Sequence, residues 1–158
     1  MNEVRMYKIS WYPIITFMVM GVTFLILCFS DIKGIISHLF VFIIGLFFSF
    51  VFIGYSIYLW RKRNDGKGFH WDDKGIVIDL QGNKVFWDEI ESVKYSNVRG
   101  LKSTVIYPHY TNHEKIRIRR KKWMPTPAHS VDWFLIEKPK EYQKNLMNTW
   151  KEKRNSQK

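Results

Sequence analysis

Residues 40–63 read FVFIIGLFFSFVFIGYSIYLWRKR, and this stretch decides the architecture. No charged residue stands between Phe40 and Trp60; Gly45, Ser49, Gly54, Ser56 and two tyrosines are the only interruptions. A helix rises about 1.5 Å per residue, so roughly 20 such residues cross a hydrocarbon core of about 30 Å. Lipid offers no partner to a backbone amide, and a helix pairs its amides internally. Arg61, Lys62 and Arg63 come directly after. Juxtamembrane cations favour the side whose leaflet is anionic, so the chain is expected to emerge in the cytoplasm.

Upstream, residues 11–30 form a second uncharged stretch, with Pro13 in its first turn where a missing amide hydrogen costs little. The only charged break before the apolar pattern resumes is Asp31-Ile32-Lys33-Gly34. So short a break makes two helices antiparallel neighbours, with both chain ends on one side. Trp11 and Tyr12 then share an interface with Tyr55, Tyr58 and Trp60, as an aromatic belt does. Arg5 and Lys8 lie on that side too, so the reading is a two-span cell-membrane protein with both termini cytoplasmic. His38, near the outer end of the second span, is expected to reach interfacial water. Without ionisable groups in their interiors, the two spans offer no ion path and read as an anchor.

Charge divides the chain in the same place. The net charge is +11, yet residues 1–60 hold only three basic and two acidic side chains. Residues 61–158 are therefore a basic module of under 100 residues, enough for one small core. Cys28 is the single cysteine, which excludes an internal disulfide; Leu25-Ile26-Leu27 before it lacks the small residue of a lipidation site. No small-x-small site succeeds the first apolar run, so a cleaved leader is not expected. The organisation expected is a tail (1–10), a hairpin with spans 11–30 and 36–60, a basic linker (61–67), a β domain (68–154) and a short tail (155–158).

In the basic module, short apolar or alternating runs recur at the spacing of a small antiparallel sheet protein. They are residues 69–71, 76–80, 84–87, 90–95, 103–107, 115–119 and 131–136, separated by turns at 72–75 and 81–83 and loops at 97–102 and 120–130. Ile90 and Val93 break strict alternation, which predicts a bulge near Glu91. Lys115-Ile116-Arg117-Ile118-Arg119 alternates cleanly and reads as a strand with both isoleucines on one face. From Pro139 the period changes: Tyr142, Leu146 and Trp150 recur every four residues, as on an amphipathic helix.

About seven strands closed by one C-terminal amphipathic helix, with Gly75-Ile76-Val77-Ile78 and then residues 85–93 (VFWDEIESV), resemble the bacterial pleckstrin-homology-like membrane proteins. The resemblance covers most of residues 68–154. It implies a partly open barrel of two roughly orthogonal antiparallel sheets, plugged at one end by the helix. It implies no defined activity, because domains of this shape bind lipids, peptides or proteins and some only scaffold. No binding residue is carried over from it.

Chemistry is sparse. His109 and His113 have a metal-like spacing, but Pro108 and the intervening polar residues make this a strand end, and no cysteine or carboxylate accompanies them. Asp72-Asp73 and Asp88-Glu89 flank turns, where carboxylates serve the backbone. With no nucleophile elbow, phosphate-cradling loop or zinc motif, neither an enzyme nor a cofactor is expected.

The dense basic run is more informative: Arg117, Arg119, Arg120, Lys121 and Lys122, with Trp123 and Met124 directly after. A basic group at an anionic surface contributes on the order of 1 kcal/mol, and Trp123 and Met124 are expected either to insert among headgroups or to pack in the core. The run therefore reads as a surface for anionic lipid or an acidic protein; nucleic acid is not the expected polyanion for a domain tethered at a membrane. The function expected is a non-enzymatic anchored module that binds or scaffolds a partner there. The alternative is an immunity protein that neutralises a toxin at the membrane, which an adjacent toxin gene would favour.

Overall fold

The computed structural model describes residues 6–30 and 39–156. The expected turn at residues 31–34 and His38 lie outside the described residues. The described chain divides into a helical unit, Ser10–Asp65, and a second unit made of Met1–Ile9 with Gly66–Lys158.

The helical unit holds α1 (Trp11–Ser30) and α2 (Leu39–Asn64), both long and apolar enough to cross a membrane. They are antiparallel: the Ser56 hydroxyl donates to the Ile14 carbonyl at 2.7 Å, and the Ser49 hydroxyl to the Gly21 carbonyl at 2.7 Å. Each serine thus finds a partner across the pair, and the small side chains let the backbones approach. A Cβ on Gly21 would stand 2.6 Å from Ile53 Cγ1, so only glycine fits there without displacing the neighbour. Phe17, Phe24, Phe48 and Phe52 stack along the seam. Arg61, Lys62 and Arg63 do not begin a linker, as the charge pattern had implied. The helix runs through them to Asn64, where three cations in the last turn complement the helix dipole.

Among the described residues the second unit contains seven strands in three antiparallel sheets, a short helix α3 (His113–Arg119) and a final helix α4 (Pro139–Ser156). β1 (Tyr7–Lys8) pairs with β2 (Gly68–Phe69), and β3 (Gly75–Val77) with β4 (Lys84–Phe86). The third sheet is β5 (Ile90–Val98), β6 (Leu101–Pro108) and β7 (His129–Asp132), in that order. Among the described residues no closed barrel forms. The register shifts between Ile90 and Ser92, where the broken alternation had predicted a bulge. A single core joins these elements, with Phe69, Ile76, Val85, Val93, Ile106 and Val131 from strands and Tyr142 and Leu146 from α4.

Four local expectations are corrected. Residues 6–9 are not a free tail: Tyr7 and Ile9 are buried, and Ile9 bridges Ile136. Two residues of pairing carry too little periodicity to be read as a strand. The segment 115–119 is not a strand but part of α3, which buries Ile116 and leaves Ile118 exposed. Five alternating residues fit period 2 and, with one buried position, a short helix equally; the Glu114–Arg117 ion pair at i, i+3 favours the helix. The expected loop at 97–102 narrows to a two-residue turn, because Arg99 (φ 52°) and Gly100 (φ 85°) both take the left-handed conformation that tight hairpins need. The last strand ends at Asp132, and Trp133–Leu135 is a 3-10 turn.

Candidate functional site

The basic run, read as one surface from its sequence, splits into two groups with opposite fates. The splitting device is the fully buried carboxylate of Glu89, which sits in a 3-10 turn, Trp87–Glu89, entering β5. Glu89 accepts the Phe86 amide at 3.0 Å. Arg119 approaches it with both terminal nitrogens, at 2.7 and 2.6 Å, and Lys115 lies 3.8 Å away. Arg119 also donates to the Lys84 carbonyl at 2.9 Å and lies over the Phe86 ring. Burial pushes the Glu89 carboxyl up, but the hydrogen bonds from Arg119 and Phe86 and the nearby cations outweigh it and hold the group below the usual carboxylate range. Arg119 is therefore part of the fold.

Arg120 is committed as well. It donates to Asp79 Oδ2 at 3.1 Å and meets Nδ1 of the buried His129 at 2.8 Å. Asp79 meanwhile caps the turn at residues 79–83 by accepting the Gln81 and Asn83 amides. His129, enclosed and facing the Arg120 charge, is pushed down to about 4 and stays neutral at pH 7. Arg117 pairs with Glu114, and its guanidinium also reaches the Trp123 carbonyl at 3.2 Å.

Lys121, Lys122 and Trp123 behave differently. Both lysines are exposed, and among the described residues neither has a carboxylate partner. The backbone that presents them is fixed. Lys121 has φ 51°, its amide donates to Ile118 O at 3.0 Å, and the Lys122 amide donates to Arg117 O at 3.1 Å. These two bonds close α3 with a Schellman motif, which satisfies the last carbonyls of the helix. Trp123 leaves this turn 91 % exposed, with Met124 at 68 % and Ile118 at 64 %. Exposure of three large apolar side chains beside two unpaired cations is what the sequence could not show.

In the helical unit, two cations of the last turn of α2 lie against aromatic rings. Lys62 Nζ is 5.6 Å from the centre of the Tyr58 ring and Arg63 Cζ is 4.8 Å from that of Trp11, so the end of α2 meets the start of α1.

The His113 ring bonds the Pro108 carbonyl at 3.2 Å. Asp72 serves its turn through the Lys74 and Gly75 amides and pairs with Lys84. A cleft of about 260 Å³ opens between Trp87 and Trp150, with His109, Lys153 and Arg154 at its rim. Lys153 is engaged there by Asp73 at 3.1 Å, and Arg154 lies over the Trp150 ring.

Glu89 and Asp79, as the partners of Arg119 and Arg120, were not evident from sequence. The only signal was a carboxylate three residues after Phe86, at capping distance. Comparison with protein-family models, with curated proteins and with solved structures found no match to this chain.

Proposed function

We propose that this protein is a non-enzymatic, membrane-anchored module whose second unit lies on the cytoplasmic side and engages a partner at the membrane surface. The observation that carries the reading is the construction of the helical unit. Ser49 and Ser56 are spent on facing carbonyls inside the pair, while Thr23 and Ser30 bond carbonyls of their own helix, so the two helices serve to hold the chain. The cations Arg61, Lys62 and Arg63 at the end of α2 support a cytoplasmic exit.

The pleckstrin-homology-like reading of the second unit belongs to the same proposal. It is supported by the order of short antiparallel strands and by a final helix that seats Tyr142 and Leu146 in the core. A surface module of this kind needs no catalytic group; it needs an exposed patch not consumed by its own fold, and residues 121–124 supply one.

The test is photo-crosslinking in living cells, with the reactive residue at Lys122 or, as a control, at Asn148 on the exposed side of α4. Crosslinks to lipid or to one membrane-associated protein, concentrated at position 122, are the expected result. Equal background at both positions would contradict the proposal.

A further inference from the structure

Resting on the anchored-module reading, we infer that residues 118–124 are a second membrane contact, in which Ile118, Trp123 and Met124 enter the headgroup region of an anionic bilayer while Lys121 and Lys122 meet its phosphates. The argument begins with cost. Apolar surface left in water is unfavourable by about 25 cal/mol per Å², and here three large side chains are left out within seven residues.

They are not left out by disorder of the turn. The Schellman bonds from Lys121 and Lys122, together with Arg117 bonding the Trp123 carbonyl, hold that backbone in one shape. A rigid apex with a tryptophan at its tip and lysines beside it suits the bilayer interface, where an indole spans the apolar and wet layers and the ammonium groups meet anionic headgroups.

Charge and tether select lipid over a soluble partner. Arg117, Arg119 and Arg120 are neutralised by Glu114, Glu89 and Asp79, which leaves Lys121 and Lys122 as the run's uncompensated cations among the described residues. Ser10 alone separates Ile9 of the second unit from Trp11, the first residue of α1. A unit joined directly to a span meets lipid as an intramolecular event, for which a weak contact suffices.

A second apolar tip, Val98 and Leu101 at the β5–β6 turn, provides an internal control. β7 places His129 opposite Ile106 and Asp132 opposite Ser103, so the loop preceding β7 leaves at the far end of the sheet from that turn.

The experiment uses the full chain in nanodiscs of phosphatidylcholine alone or mixed with phosphatidylglycerol. A spin label is attached at Met124→Cys in a Cys28→Ser background. In anionic discs the label should be reached severalfold more by oxygen, which partitions into lipid, than by a water-soluble nickel chelate; in neutral discs the preference should reverse. Lys121→Gln with Lys122→Gln should weaken the contact equilibrium roughly 30-fold, about 2 kcal/mol for two lysines. Leu101→Ser should change nothing.

A label equally water-exposed in both discs overturns the inference, as does loss of contact with Leu101→Ser but not with the double lysine change. Both disc faces are open to solution, so this result is independent of which side the domain occupies in cells. The anchored-module reading fails separately, if position 122 shows no crosslinks above background.

Discussion

The Asn145 side chain donates to the Tyr7 hydroxyl at 2.7 Å, tying the C-terminal helix to the segment that precedes the first long apolar helix. The Tyr7 ring also packs at 5.7 Å on Trp71 and edge-on at 5.3 Å to Tyr142, and the Lys8 carbonyl accepts the Glu137 amide at 3.0 Å. The second unit is thus built from both ends of the chain, and everything between residues 10 and 65 is inserted into it.

That construction predicts how the unit can be isolated. Because Lys8 pairs with Gly68, a short Gly-Ser loop replacing residues 11–64 should close β1 and β2 as a hairpin and yield a soluble, cooperatively folding chain. Removing Tyr7 from its buried place by Tyr7→Ala should cost this chain about 3–5 kcal/mol in urea unfolding, a large share of a domain's usual 5–15 kcal/mol. A fragment starting at residue 64 should not unfold cooperatively at all. Equal urea midpoints for the fragment and the looped chain would show that β1 is dispensable.

The arginines of the basic run should separate by stability. Arg119→Met strands the Glu89 carboxylate in the core and should destabilise by about 3–5 kcal/mol. Adding Glu89→Leu should recover a substantial part, since removal of both charges leaves only the exposed Lys115 without its partner, and a double-mutant cycle measures the coupling. Lys121→Gln and Lys122→Gln, on the exposed turn, should each stay within about 0.5 kcal/mol of the parent. An Arg119→Met variant as stable as the parent would refute the ion pair.

His129 gives the unit an acid sensitivity of defined sign. Its folded value is about 4 against an ordinary 6.5, so the unfolded chain binds the proton first. Stability is whole above the unfolded value, falls as pH drops below it, and the loss is complete once pH passes the folded value. By pH 5 the loss should reach about 2 kcal/mol. The facing groups are Arg120, His113 and Lys122, which oppose protonation, and Asp79, which favours it. The protection factors of the β7 amides, taken relative to the intrinsic exchange rate at each pH, should fall from pH 7 to pH 5 in the parent and much less in His129→Gln. Identical profiles would place the acid sensitivity elsewhere.

Much of this architecture was legible. Two apolar runs and a charge boundary at residue 61 are plain in the sequence, and both runs form helices long and apolar enough to cross a membrane. Tyr142 and Leu146 were readable because 18 residues of α4 repeat the helical period several times. Trp150, at the same spacing, is only half-buried and lines the cleft beside Trp87.

The failures share one physical origin. β1 and α3 are too short for their own periodicity to identify them, and long-range partners decide their state: Tyr7 by Asn145, Arg119 by Glu89. The candidate surface was legible as composition but not as geometry. A row of cations shows how much charge is present, whereas Glu89 and Asp79, two of the three carboxylates that consume it, come from elements 30 or more residues away.

The central claim is a basic unit assembled from both chain ends on the cytoplasmic side of a two-helix anchor. The most direct test places single cysteines at Met6 and at Asn148, both exposed, in a Cys28→Ser background. A membrane-impermeant thiol reagent should label neither cysteine in intact cells and both in everted membrane vesicles. Labelling of either cysteine in intact cells would contradict the account: both together would reverse the orientation, and one alone would mean that the two ends do not share a unit.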